Sequence, residues 1–297
     1  MPPTDGLTAC SSNKLCAEDL DPSNRMIGLP SLRGDRNQAR DNLTPTTTVG
    51  VDTAAHTLFH NILDSQSSNS GAIGLRFRQP RLGPEELLVQ EFIRDLRVHI
   101  PVGYRLTLFK EPGIESGFPD LVIVVWDWQT AEAWNPSRRF LTNYDFRVIH
   151  YLSQSGQCSR RTLLGVFGPR VRSSIERLEA AEMISACGDM IAPADWSSLY
   201  ATKHIIAVEA KVSQWRQALN QAFQNQWFAT SSFVLLSRLP GGVALADEAE
   251  ALGVGLWTMA NNVLDLSAMA QHRQPSSYAS WLFNEWAWRA AIVQLEE

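Results

Sequence analysis

Glu209 and Lys211 stand two residues apart within Ile205–Val212, Ile-Ile-Ala-Val-Glu-Ala-Lys-Val. This apolar, β-branched stretch predicts a strand, and residues two apart on a strand share a face. Two opposite charges on one face of such a strand cost several kcal/mol to bury, roughly, unless they pair or hold a metal. Alone, a Glu-x-Lys reads as a structural ion pair. Asp120 changes that reading. It follows Pro119 at the head of a solid apolar run, Leu121–Trp126, whose composition predicts a strand buried on both faces. If the two strands pair antiparallel, the start of one lies beside the end of the other. Asp120 then meets Glu209 and Lys211 although 89 positions separate the carboxylates. Two carboxylates and the Ala210 carbonyl form a hard oxygen set suited to Mg²⁺, with Mn²⁺ as a second candidate, completed by waters and a substrate phosphate.

The flanking elements are legible from their periodicity. Pro84 opens a helix with apolar positions 87, 88, 92, 93 and 96 and acids in its first turn. Tyr104–Leu108 alternates as a strand. After Lys211 come a helix from about 214 to 229, a strand over Phe233–Leu236, a helix over Asp247–Leu252 and a strand over Gly255–Met259. A closing β-α-β-α-β run predicts an α/β fold, a mixed central sheet flanked by helices. A last helix carrying Trp281, Trp286 and Trp288 is expected to pack on that sheet.

Gly117-Phe118-Pro119-Asp120 before an apolar strand, then Val208-Glu209-Ala210-Lys211, resembles the signature of the PD-(D/E)xK (restriction-endonuclease-like) nucleases. The helix with Glu85, Glu86 and Glu91 is similar to the acidic first helix of that superfamily. Leu219-Asn220-Gln221-Ala222 is similar to its Gln-Ala element, and Gly253-Val254-Gly255-Leu256 also has counterparts. The resemblance covers about residues 84–128 and 200–260 and departs from the family in the long segment between the two half-motifs. It implies a Mg²⁺-dependent nuclease hydrolysing DNA phosphodiesters. Asp120, Glu209 and the Ala210 carbonyl would ligate the metal. Lys211 would orient water and stabilise charge on the phosphate, Glu86 would be the first-helix acid, and Gln221 would support Lys211 or hold the phosphate.

The chain divides into an arm over 1–70, a first core segment over 71–137, an insert over 138–195 and a second core segment over 196–297. The arm is polar, with Arg25, Arg33, Arg36 and Arg40 and one apolar interlude, Ala54–Leu63, that reads as a short helix. Within the insert, helices over Asp145–Leu152, Arg160–Phe167 and Pro169–Ala181 precede a hairpin over Ile184–Ile191. Three helices followed by a two-stranded wing is the order of a winged helix-turn-helix. Arg160, Arg161, Arg170, Arg172 and Arg177 stand against one acid, Glu176, in the window 158–177. That excess suits phosphate contact; the alternative is a protein-contact domain with solvated arginines. A strand of about eight residues at ~3.3 Å each would hold the insert roughly 26 Å from Asp120.

Composition sets the outer bounds. The formal charge is −5, so DNA contact has to come from local patches. Of 26 basic residues only four are lysines, Lys14, Lys110, Lys203 and Lys211. The four cysteines form no CxxC pair, and His56 and His60 lack a third ligand, which argues against zinc. No long apolar run and no basic-then-apolar start occur, so the expectation is a cytoplasmic protein without a membrane partner. The expected partner is DNA, double-stranded by the reading of the insert. A homodimer or a larger nucleoprotein assembly would supply a second cutting site. A non-catalytic DNA-binding regulator, and a partner-dependent subunit of a transposition or defence complex, are the alternatives from other classes.

Overall fold

The computed structural model describes residues 61–65, 74–79, 81–96, 100, 102–239, 244–260, 263–273 and 277–296. Most of the expected arm, with its four arginines, lies outside the described residues. So does most of the helix expected over Ala54–Leu63, but its last three residues, Asn61–Leu63, form a strand, β1. The correction has a simple cause: their backbone groups pair in parallel with the edge of β2 (Tyr104–Lys110).

The fold is α/β, with a mixed sheet of seven strands flanked by helices. Its order is β1-β2-β3-β7-β8-β9-β10, where β3 is Leu121–Asp127, β7 Thr202–Lys211, β8 Ser231–Leu236, β9 Gly255–Ala260 and β10 Val263–Ala268. β3 pairs antiparallel with both β2 and β7, as expected for the strands of the two half-motifs. β7, β8 and β9 are parallel, connected by α7 (Trp215–Asn225) and α8 (Ala244–Leu252). β10 turns back antiparallel on β9 and has no clear sequence signal; Leu264 and Leu266 alternate with polar residues too briefly to stand out.

Every residue of Leu121–Trp126 is buried, because both faces of β3 are covered. On one face α1 (Pro84–Asp95) packs Leu88, Val89 and Phe92 against Leu106, Leu108, Ile123 and Val208. Leu87, expected on this stripe, is exposed, since one residue's rotation carries it away from the sheet while Val89 turns inward. Gly255 serves this layer by having no Cβ. It pairs with Phe233, and a Cβ there would stand 2.2 Å from the Phe233 ring, which stacks on Trp257 at 3.9 Å.

On the other face lie α7, α8 and α9 (Tyr278–Glu296). The expected tryptophan helix is there: Trp281, Phe283, Trp286 and Trp288 are all buried. The segment between β3 and β7 holds α2 (Trp128–Glu132), a 3-10 turn (Pro136–Phe140), α3 (Asn143–Ser155), β4 (Cys158–Ser159), α4 (Arg160–Phe167), α5 (Val171–Ala180), β5 (Ile184–Cys187), β6 (Met190–Pro193) and α6 (Trp196–Leu199). The three expected helices and the hairpin are present. A third short strand joins them in a sheet of order β4-β6-β5.

The insert does not stand off from the sheet. Phe146, Ile149 and Leu152 of α3 and Leu178 of α5 share one continuous core with Val122 and Val124 of β3 and with α9. Arg138 is buried among them, donating to Glu285 of α9 from Nε at 2.8 Å and to the Leu199 carbonyl at 2.7 Å. α3 lies back along the sheet, and Arg147 comes within 3.4 Å of Glu115 in the turn that precedes β3. The apolar faces of α3 and α9 are the physical reason, since neither can be buried unless the insert folds onto the sheet. Among the described residues no helix is long and apolar enough to cross a membrane.

Candidate active site

The β3–β7 register pairs Leu121 with Val208, so one step outward Asp120 stands opposite Glu209. The backbone N–H of Ala210 donates to Asp120 Oδ2 at 2.8 Å and fixes the carboxylate at the end of the ladder. Glu209 is only 3% exposed, and its Oε1 accepts from Asn225 Nδ2 at 2.7 Å. Burial, and then the negative charge of Asp120, push the Glu209 carboxyl up to about 8 against the help of Asn225, Lys211 and Arg78. Burial also raises Asp120, opposed chiefly by the Ala210 amide and by Lys211. Lys211 Nζ lies 3.1 Å from the Ala210 carbonyl and 4.0 Å from Asp120 Oδ2.

Three cations surround this pair, and each has its closest contact with a different acid. Lys211 is 3.1 Å from Glu85 Oε2, and Lys110 is 2.7 Å from Glu86 Oε1. Arg78 donates through Nε to Glu111 and reaches Asp120 Oδ1 only at 3.7 Å. Asp120 and Glu209 are left as two adjoining carboxyl groups whose nearest cations, Arg78 at 3.7 Å and Lys211 at 4.0 Å from Asp120, lie closer to other acids. Of the acids on α1, Glu85 touches Lys211, while Glu86, the expected first-helix acid, is buried and bound by Lys110 and by Gln90 Nε2 at 2.8 Å.

A cleft of about 260 Å³ opens beside the pair, lined among others by Arg78, Glu111, Phe118, Asp120, Lys211 and Gln221. Gln221 therefore lies where it was expected, but it does not bond Lys211; its Oε1 is buried without a partner. Glu86 also lines the cleft, whereas Glu209 sits behind Asp120 and does not.

The donor set suits a hard divalent cation. Among the described residues no three His, Cys, Asp or Glu side chains group as a metal site by themselves. What is present is two carboxylates, both disfavoured as anions by burial, beside the Ala210 carbonyl. Their all-oxygen chemistry matches Mg²⁺ or Mn²⁺, which Asp120, Glu209 and the Ala210 carbonyl would hold and whose charge would favour both carboxyls as anions.

Among the arginines of the insert, Arg161, Arg170 and Arg172 are exposed and Arg160 is partly so. Arg170 precedes α5 and lies over Tyr144, 5.1 Å from the ring centroid, and Arg172 is in the first turn. Arg177, expected with them as a phosphate contact, is instead engaged by fully buried Asp145 through Nε at 2.9 Å and Nη2 at 2.6 Å. Asp145 also closes the capping box of α3 with Thr142, so this arginine holds two helices together.

Four residues of the site escape sequence reasoning. Asn225 stands four after Gln221 on the inner stripe of α7, a spacing that could have found it. Glu111 follows Lys110 at the end of β2 and adopts the left-handed conformation, φ 49°. Glu85 is masked by Glu86, the acid next to it in the same helical turn. Arg78 has no signal, because residues 74–79 have no period; they are placed by hydrogen bonds to the turn at 111–113. Set against models of known protein families, curated proteins and solved structures, the chain gives no match.

Proposed function

We propose that the chain is a metal-dependent nuclease of the PD-(D/E)xK kind that hydrolyses DNA phosphodiesters. The observation that carries the reading is the cross-strand pair: Asp120 opposite Glu209, with Asp120 and Lys211 lining one cleft. In this reading Asp120, Glu209 and the Ala210 carbonyl hold Mg²⁺ or Mn²⁺. When bound, the ion supplies Lewis-acid polarisation of the phosphate and water activation near neutral pH. Lys211 Nζ carries a positive charge at the cleft and orients the attacking water toward the phosphorus. Glu85 holds Lys211 at that place, and Asn225 orients Glu209. Gln221 offers its unpartnered Oε1 to the water or to Lys211. Burial beneath α1 and α7 keeps bulk water from the pair and strengthens each of these interactions.

The segment 138–195 is read as a winged helix that grips duplex DNA. Its order α3-β4-α4-α5-β5-β6 and the exposed Arg161, Arg170 and Arg172 beside the first turn of α5 support this. Cleavage of plasmid and linear DNA in Mg²⁺, against EDTA, tests the whole reading. Asp120→Ala, Glu209→Ala and Lys211→Ala are expected to abolish cutting while duplex binding persists. Full activity in Lys211→Ala would sink the mechanism. The near-complete burial of Glu209 favours a second form of the same reading, in which a partner or DNA opens the site before cutting. Cutting that appears only on adding a partner protein, and is lost in Glu209→Ala, would select that form.

A further inference from the structure

Arg78 lines the same cleft as Asp120 and Lys211. Its backbone is stitched to the turn after β2: the Arg78 N–H donates to the Glu111 carbonyl at 3.0 Å and Gly113 N–H to the Arg76 carbonyl at 2.7 Å. This strap carries the guanidinium to Asp120 from 42 positions away. Nε is taken by Glu111, Nη2 stands 3.7 Å from Asp120 Oδ1, and Cζ lies 5.5 Å from the Phe118 ring centroid. The side chain is 39% exposed and faces the cleft. Its Nη groups make no hydrogen bond among the described residues, which leaves a planar fork of N–H donors aimed into the space where Lys211 also points.

The backbone is held out of its ordinary range to make this contact. Glu111 is 7% exposed and has φ 49°, a conformation that a side-chain-bearing residue adopts only when its surroundings impose it. The imposed geometry brings one more carboxylate beside Asp120. Lys211 and Lys110 have their closest contacts with Glu85 and Glu86, so Arg78 is the cation in contact with Asp120 and Glu111 together, with Lys211 4.0 Å from Asp120 on its other oxygen.

We propose that Arg78 is an exchangeable counter-cation: it shields Asp120 and Glu111 in the metal-free protein and turns its fork to a backbone phosphate of DNA once a divalent cation takes Asp120. The inference rests on the metal-site reading above and adds to it the group that receives the substrate anion. Two positive charges competing for Asp120 weaken each other's binding, so Arg78 opposes the metal. The same charge, freed at the cleft, favours the polyanion. Arginine suits the second task better than lysine because its fork binds phosphate bidentately.

The two tasks give effects of opposite sign, which a merely structural arginine would not. Mn²⁺ is titrated calorimetrically into the full chain without DNA, for the parent, Arg78→Gln and Arg78→Lys. Binding of a labelled duplex oligonucleotide in Ca²⁺ is followed by anisotropy over a series of KCl concentrations. Arg78→Gln is expected to bind Mn²⁺ at least about threefold more tightly, through loss of the competing charge. It should bind duplex more weakly, with the slope of log K against log[salt] shallower by about 0.9, one phosphate's worth. Arg78→Lys, which keeps the charge and guards against a folding defect, should match the parent for Mn²⁺ but not for duplex. Unchanged or weaker Mn²⁺ binding in Arg78→Gln, or an unchanged salt slope, overturns the role of Arg78 while leaving the nuclease reading intact if the parent still binds Mn²⁺ and cuts. A parent that binds no Mn²⁺ overturns both.

Discussion

Asp120 faces Glu209 directly across the β3–β7 pair, and the Ala210 amide between them holds the Asp120 carboxylate in place at 2.8 Å. Two carboxyl groups are thereby fixed side by side where Glu209 is 3% exposed, and burial with the charge of Asp120 pushes Glu209 up to about 8. A fold gains nothing in stability from this arrangement, which is the usual sign of a site kept for binding.

Glu209→Gln tests that conflict. The amide oxygen can still accept from Asn225, and the side chain no longer has to take up, on folding at pH 7, a proton that the unfolded chain lacks. The metal-free variant is expected to be more stable than the parent by about 1–3 kcal/mol at pH 7. It should lose the rise in Tm that Mg²⁺ or Mn²⁺ gives the parent. Thermal melts with and without metal read both effects, and a variant less stable than the parent would contradict the account of Glu209 as a carboxyl that burial holds protonated.

Asn225→Ala removes the donor that orients Glu209. Leaving a buried acceptor without its partner costs about 1–3 kcal/mol. Cutting should fall with it, because Glu209 is free to turn from Asp120. Asn225→Asp should be worse for the metal-free fold, since it sets another carboxylate against Glu209 at the 2.7 Å contact. Melting temperature and turnover measured on both variants check this; equal turnover in Asn225→Ala and the parent would remove Asn225 from the site.

The pattern of apolar residues is enough to place β2, β3 and β7 through β9, and the pairing of β3 with β7 follows from where charged residues interrupt that pattern. Asp120, Glu209 and Lys211 are legible for the same reason: a charge on a buried strand has to be explained. Arg78 and Glu111 are not legible, since a loop hydrogen bond and a left-handed backbone place them and neither leaves a period. The packing of the insert is hidden because Arg138 and Glu285 meet across 147 positions, and an ion pair buried inside a core resembles two surface charges when read along a chain. Arg177 looks like its exposed neighbours until Asp145 is found beneath it.

Arg177→Ala separates a structural arginine from a DNA contact. Asp145 is fully buried, and its carboxyl is held below the ordinary range by hydrogen bonds from Arg177 and Thr142 that outweigh the cost of burial. With Arg177 partly exposed, its loss should cost about 2–3 kcal/mol, less than the loss of a fully buried partner. Well below its Tm the variant should bind duplex with the parent's salt dependence. Arg161→Ala and Arg172→Ala should behave in the reverse way, with Tm unchanged and the salt slope shallower by about 0.9 each. A shallower slope in Arg177→Ala at unchanged Tm would return this residue to the DNA surface.

His204 gives a pH window of its own. It lies on β7, its ring 5.3 Å from that of His272, and burial followed by repulsion from His272 lowers it to about 4. Between about 4 and the ordinary 6.5 the unfolded chain binds a proton at His204 that the folded chain refuses. Stability from this residue is therefore full above pH 6.5, falls as the pH drops through that range and is flat below about 4. The loss amounts to at most about 3 kcal/mol, reduced by the partial solvent access of the ring. Glu209, displaced upward, acts in the opposite sense over part of the same range, so the effect is read as a difference between His204→Gln and the parent. Denaturant midpoints at about pH 7.5 and 5, on either side of the ordinary histidine value, should converge for the variant relative to the parent. An identical acid dependence in the two proteins would mean that His204 accepts its proton in the folded state as readily as in the unfolded one.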